Sequence, residues 1–311
     1  MRAADGEGLR MQERIRYQMG KTLISRIDEL QLMSFSPSKL FPALAAEVED
    51  ERIFPRDLLS EDGNIILSCH SWLLQDGTRT ILVDTGAGAG KSRPFAPYFD
   101  NLSPPFLENL ADHGVKPEDV DLVLLTHLHV DHVGWNTRRD GDEFVPTFPN
   151  AKYVFCADEY AFFSNPENLI DRHRTSFMAR EDSVDPVVRF GQALMIEANG
   201  AEVLSGIRFI PTPGHSPFHT SIALATDDGE ALFAGDTLHH QSQVVYPDVN
   251  SVFDADPERA RASRKLVLER AARPGTIMFG AHLAGTSAIQ VSKGELGYRW
   301  LAAPRHGSTD P

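Results

Sequence analysis

Apolar residues recur along the chain at strand spacing in some stretches and at helix spacing in others. Between Ile65 and Gly86 the stretch IILSCHSWLLQDGTRTILVDTG reads as two strands, Ile65 to Leu74 and Thr80 to Asp84, reversing around Asp76-Gly77. A second pair lies in HTSIALATDDGEALFAGD and turns at Asp228-Gly229. DLVLLTH and TIMFGAHL read as short apolar strands, and each carries a histidine at its end, His127 and His282. Helix signals fill the gaps. PPFLENLADHG has two prolines at its start and a glycine at its end, and DPERARASRKLVLERAARPG offers Asp256 as N-cap with Pro257 in the first turn. In the latter, Leu266 and Arg270 fall on one side and the basic residues mostly read as a solvated face.

This alternation predicts an α/β layer fold with its site at a sheet edge, because polar residues collect where strands run out. No internal repeat or linker divides the chain. Residues 1–20 are read as an N-terminal leader and 21–311 as one domain.

Composition narrows the partners. The chain has 311 residues, 41% of them apolar, and a formal net charge of -14, a field that repels polyanions and argues against nucleic acid as partner. No run of 18 apolar residues offers a membrane span, and no signal segment is visible, so a cytoplasmic location is the default expectation. The two cysteines, Cys69 and Cys156, are too few for a disulfide framework and are assigned structural roles.

The chemistry is concentrated in THLHVDH, Thr126 to His132, which comes directly after DLVLLT and uses three of the twelve histidines. Imidazole and carboxylate together suit first-row divalent metals. On a strand end curling into a loop, His127 and His129 can share one metal while Asp131 and His132 turn toward a second. Two shells need more ligands, and TPGHS, FAGDT and FGAHL supply His215, Asp236 and His282, each at an element end beside glycine.

The order HxHxDH, TPGH, GD, GAH, spread from Ile65 to Leu283, resembles the metallo-β-lactamase superfamily. The resemblance implies a four-layer αββα sandwich with a dinuclear site at one edge of two sheets. It assigns His127, His129 and His215 to the first metal, Asp131, His132 and His282 to the second, and Asp236 to both. GDTLHHQSQVVYPD, the helix from Asp256 and the late GYRW resemble the methyl parathion hydrolase-like and lactonase branch. Acyl-homoserine lactonases carry a tyrosine three residues after the shared aspartate, where this chain has His239.

The activity implied by the resemblance is hydrolysis of lactones or aryl esters, with side activity on phosphotriesters. Two divalent ions, zinc on ligand type although manganese, iron and cobalt suit the same donors, would hold a bridging hydroxide as nucleophile. Asp131 or Asp236 would accept a proton, and His239 would orient or protonate a substrate oxygen. Asp84 is expected to bond a ligand histidine from behind. Trp135, Phe162 and Phe163 are expected in the substrate pocket, with Tyr160 nearby and Phe95, Tyr98 and Phe99 on a proline-rich lid. His219 and His240 are read as structural, and His70, His113, His173 and His306 fit no ligand pattern. A thiolester hydrolase of the glyoxalase II type and an iron-dependent sulfur dioxygenase are the alternatives on the same ligands. The expected partners are a small-molecule ester or lactone and a second copy in a homodimer.

Overall fold

Alternating side chains in paired strands build this molecule, described by a computed structural model that covers residues 14–46, 50, 51 and 53–307, with the backbone alone at 31–34. Numbered along the chain, the first strands are β1 (Arg16–Met19), β2 (Thr22–Phe35), β3 (Ile65–Gln75), β4 (Thr80–Val83) and β5 (Leu122–Leu124). A separate ribbon, β6 (Thr137–Asp140) with β7 (Glu143–Pro146), precedes β8 (Lys152–Cys156) and β9 (Ala193–Ile196). Strands β1 to β5, then β8 and β9, form one seven-stranded sheet in that order. The second sheet is β10 (Glu202–Leu204), β11 (Ile207–Pro211), β12 (Thr220–Thr226), β13 (Gly229–Gly235), β14 (Thr276–Gly280), β15 (Ala288–Gly294) and β16 (Gly297–Ala302), also in sequence order.

Both hairpins read from the sequence are present. Trp72 faces Val83 and Gln75 faces Thr80 across β3 and β4, while Ile222 faces Phe233 and Thr226 faces Gly229 across β12 and β13. The strands of DLVLLTH and TIMFGAHL, β5 and β14, each join a neighbour in parallel.

Because successive side chains point to opposite faces, each strand serves two layers. Trp72, Leu74, Ile81, Val83 and Leu124 of the first sheet meet Phe209, Ile222, Phe233 and Phe279 of the second in a shared core. Leu73, Leu82 and Val123 point the other way, onto Phe106 and Leu110 of the helix Phe106–Asp112. Leu232, Met278 and Ile289 do the same on the far side, against Val267 and Leu268 of the helix Pro257–Ala271. Helix, sheet, sheet, helix is the expected four-layer sandwich.

Two expectations change. A leader reaching residue 20 is too long at its C-terminal end: Arg16–Met19 pairs with β2, and Tyr17 is fully buried with its ring edge-on to Trp72 and Phe279. Residues 1–13 lie outside the described residues. The helix from Pro257 is capped as expected, with Asp256 accepting from the backbone N–H of Glu258 and Arg259 at 3.1 Å. Its basic residues, however, are not all solvated, since Arg264 is fully buried while Leu266 is 47% exposed. The reason is an ion pair between Arg264 and the buried Asp254.

The longest strand, β2, is absent from the sequence-based expectations, and its irregularity matters most. Asp28 pairs with His70 and Leu30 with Cys69, so Glu29 is the extra residue of a bulge and has no cross-strand partner. Its carboxylate turns inward, beneath the loops at the sheet edge. Among the described residues, no helix is long and apolar enough to cross a membrane.

Candidate metal centre

The heptad continues from β5 as an extended loop, and the other three residues sit just beyond β11, β13 and β14. Strand ends of both sheets therefore deliver His127, His129, Asp131, His132, His215, Asp236 and His282 to one place. Three sets fall within metal-sharing distance: His127 with His129 and His215, His127 with His132 and Asp236, and Asp131 with His132 and His282. Asp236 is central. Its Oδ1 lies 3.3 Å from His132 Nε2, and its Oδ2 lies 3.2 Å from both His215 Nε2 and His282 Nε2. His215 Nε2 and His129 Nδ1 approach to 2.9 Å, and His282 Nε2 stands 3.5 Å from Asp131 Oδ2.

These residues suit cations on two counts. His127 Nε2, His132 Nε2 and Asp236 Oδ1 are buried without a hydrogen-bond partner, a costly arrangement unless something binds them. Charge divides the cluster as well. Burial holds His127 and His215 well below the usual histidine range and takes His129 to about 3, so these rings are neutral donors. Burial also pulls on His132 and His282, but Asp236 and Asp131, joined at His132 by Asp84, overcome that and raise both. For Asp236, burial is outweighed by His282, His132 and His215, which keep its carboxyl well below the carboxylate range. Carboxylates there call for positive charge.

Buried acceptors fix the loops. Asp84 accepts from His132 Nδ1 at 2.9 Å and from the backbone N–H of Thr126 at 2.8 Å, so Nε2 of His132 is turned toward Asp236. His282 Nδ1 meets the Ser68 carbonyl at 2.8 Å. Glu29 accepts from the backbone N–H of Ala87 and Gly88 and from Trp135 Nε1, at 2.6, 2.9 and 2.7 Å. Glu159 accepts from Phe218 N at 2.9 Å and reaches Leu128 N at 3.5 Å, tying the heptad to the loop that carries His215. His219 is structural as expected: Nδ1 meets Thr212 Oγ1 at 2.9 Å and Nε2 accepts from Asp236 N at 3.0 Å. Gly235, at φ 54°, leaves room for that ring, where any Cβ would strike it.

A cavity of about 450 Å³ opens above the cluster. His129, Asp131, His215, Asp236, His239 and His282 form its floor. His239 is buried, both ring nitrogens lack partners, and Nε2 lies 3.5 Å from Asp236 Oδ2. Its ring runs nearly parallel to that of His282, centroids 5.9 Å apart. His240, also buried, bonds locally to Ser242.

The aromatic expectations fare worse than the ligands. Trp135 does not line the cavity: the loop turns it under the heptad, where it stacks on Phe106 and gives its N–H to Glu29. Phe163 is fully buried in the core, touching the His129 ring edge-on from behind, centroids 6.1 Å apart. Phe162 is half-buried against His173 and Phe218 and stays outside the lining. Tyr160 is spent on a hydrogen bond to Asp185. Of the lid residues, Phe99 lines the cavity, whereas Phe95 and Tyr98 are exposed. The walls come instead from Leu67, Val252, Phe253, Arg172 and His173. Nothing in the sequence around RHRT or VNSVFD distinguishes those last four from surface residues, because only the folded chain brings the two segments together. There, Arg172 donates to the Phe253 carbonyl at 3.1 Å.

Fold and site together define a metallo-hydrolase-like sandwich, and the comparisons agree. Residues 65–282 match the Metallo-beta-lactamase superfamily, and the chain belongs to it. The N-acyl homoserine lactonase AiiA of Bacillus thuringiensis subsp. kurstaki is 28% identical over 170 residues, covering 54% of this chain and 58% of its own length, little more than half of that relative. The N-acyl homoserine lactonase of Bacillus cereus is 26% identical over 233 residues, 71% of this chain and 83% of its own. Among solved structures, the hydrolase AbOPH of the beta lactamase superfamily has a TM-score of 0.79 at 26% identity over 94% of this chain and 98% of its own. AidC, a dizinc quorum-quenching lactonase solved with a product, has a TM-score of 0.75 at 20% identity over the same shares, and shares the fold.

Proposed function

We propose that the chain is a dinuclear metal-dependent hydrolase of lactones or aryl esters, with phosphotriester cleavage as a side activity. One observation carries the reading: Asp236 sits where two histidine-rich ligand sets meet, at the floor of a single cavity with largely apolar walls. His127, His129 and His215 would hold one ion, Asp131, His132 and His282 the other, and Asp236 both. Bound divalent ions, zinc on ligand type, supply Lewis acidity and lower the pKa of water toward about 7.

The chain's own residues do the rest. Asp131 and Asp236 present carboxylate oxygens that accept a proton as the ester bond opens. His239, facing the cavity with free ring nitrogens, orients or protonates the departing oxygen. Leu67, Val252 and Phe253 exclude water and favour an apolar acyl or aryl group over a small, highly charged one.

The test is a hydrolysis panel of lactones, aryl esters, organophosphates and S-lactoylglutathione on metal-replete protein, with metal analysis alongside. Two metal equivalents and fastest turnover of lactones or aryl esters are expected. Preference for S-lactoylglutathione would transfer the reading to a thiolester hydrolase. An iron-only protein that consumes oxygen with a persulfide would replace hydrolysis altogether.

A further inference from the structure

Behind His215 lies a buried ion pair that the reaction above does not use. Arg264, from the middle of the helix Pro257–Ala271, and Asp254, from the loop before it, are fully or almost fully buried and meet at 3.0 Å between Nη2 and Oδ2. Arg264 is saturated: Nε donates to the Thr237 carbonyl at 2.8 Å, one residue past Asp236, and Nη1 donates to the Pro247 carbonyl at 2.9 Å. Asp254 Oδ2 also accepts from Ser251 N at 3.1 Å. Its other oxygen, Oδ1, has no partner.

That free oxygen faces a nitrogen in the same condition. His215 Nδ1 is likewise buried without a partner, and the two atoms stand 3.9 Å apart. A carboxylate oxygen of Asp254 is also within metal-sharing distance of His239 and His215 together. The loop is held to the histidine segment on both sides, with Ala255 N donating to the His215 carbonyl at 3.3 Å and Asp256 N to the Gly214 carbonyl at 2.8 Å. Ser263 Oγ donates to the Pro213 carbonyl at 2.6 Å. Gly214, at φ 138°, lies so close to the Ala260 backbone that a Cβ would collide with it. The loop of His215 and the start of the helix are thus one packed unit.

We infer that Asp254, braced by Arg264, is a positioning residue for the first metal: its Oδ1 takes the Nδ1–H of His215 and thereby fixes the tautomer that leaves Nε2 free to bind. Asp84 does the equivalent for His132, from the other sheet, at hydrogen-bond distance already. A carboxylate between the Arg264 guanidinium and the Nδ1–H of a metal-bound imidazole would be held in a place where an unpaired carboxylate would not. Val252, Phe253 and Ala255 line the cavity on either side of Asp254, so the same loop that grips the ligand also touches the substrate's apolar part.

The inference rests on the two-metal reading, and the test separates them. Asp254→Asn keeps the shape but sets an amide N–H against either Arg264 or His215. Metal affinity is read by chelator competition on the full chain, together with the visible absorption of the cobalt-substituted protein. One of two equivalents is expected to weaken by about 10- to 100-fold, with an altered cobalt spectrum, while the other equivalent stays near wild type; the stripped protein unfolds earlier because Arg264 loses its buried counter-ion. Arg264→Lys, which keeps the charge but loses the fork, is expected to weaken the same equivalent by less. Wild-type affinity and an unchanged spectrum in Asp254→Asn would overturn the inference and leave the hydrolase reading standing. Equal weakening of both equivalents would also overturn it, in favour of a scaffold role. A wild type that takes up no metal sinks both.

Discussion

The floor of the cavity and its walls are built by different means. The floor residues lie in the loops that follow strand ends, and buried acceptors back the cluster: Asp84 behind His132, the Ser68 carbonyl behind His282, and Glu159 across the two histidine loops. Apart from the buried Leu67 of β3, the walls come from loops whose apolar residues are partly open to solvent, Val252 at 49% exposure, and which are tied by the Arg172 bond to the Phe253 carbonyl. A floor held this way fixes the chemistry. Walls held more loosely can vary the substrate without disturbing it.

The comparison breaks first at Asp236. Asp236→Ala is expected to lower turnover by more than about 100-fold and to weaken both metals, since it faces both ligand sets; losing only a residue that orients a ligand already costs up to that much. Retained activity would remove its shared role. Asp84→Ala comes next, with metal affinity reduced about 10- to 100-fold as His132 loses its orienting bond, measured by chelator titration. A normal titration would mean that His132 is oriented without Asp84.

Substituting Phe253→Ala in the wall should raise KM for apolar esters about fivefold, the loss of roughly half a buried aromatic side chain, and leave kcat within about twofold. If kcat collapses instead, wall and floor are not separable. His239→Ala sits at their border and is expected to lower kcat more than it lowers metal content. Equal turnover would return His239 to a structural role.

The pH dependence of stability sharpens the floor side with the smallest effect. Burial pushes the carboxyl of Glu159 up to about 7, and that of Glu29 likewise. Between the ordinary glutamate value and about 7 the folded chain keeps protons that the unfolded chain has lost, so these groups make stability fall as pH rises through that window. In thermal unfolding of the stripped protein, Glu159→Gln should shrink the drop between about pH 5 and about pH 7.5. An unaltered drop would show that the carboxyl titrates elsewhere.

The convergence of the seven candidate residues is legible in the sequence because its chemistry is local: histidine and aspartate crowd the end of one strand in THLHVDH, and glycines flag the other three. The hairpins are legible because Asp76-Gly77 and Asp228-Gly229 mark their turns. Trp135 lies elsewhere than expected because sequence adjacency to the metal loop says nothing about which way the next turn folds. Its indole N–H needs an acceptor, and the acceptor, Glu29, belongs to a bulge in a strand whose charged residues hide its β character. Arg264 misleads in the same way. A basic residue on a helix reads as solvated until the carboxylate that neutralises it, ten positions earlier, is folded against it.

Ligands drawn from both sheets have one more consequence, for synthesis. A nascent chain that has released the heptad but not yet His282 owns only part of a chelating set, and its exposed imidazoles can seize the wrong ion. The proposed set is therefore complete only once β14, the strand before His282, has paired with β13 and β15.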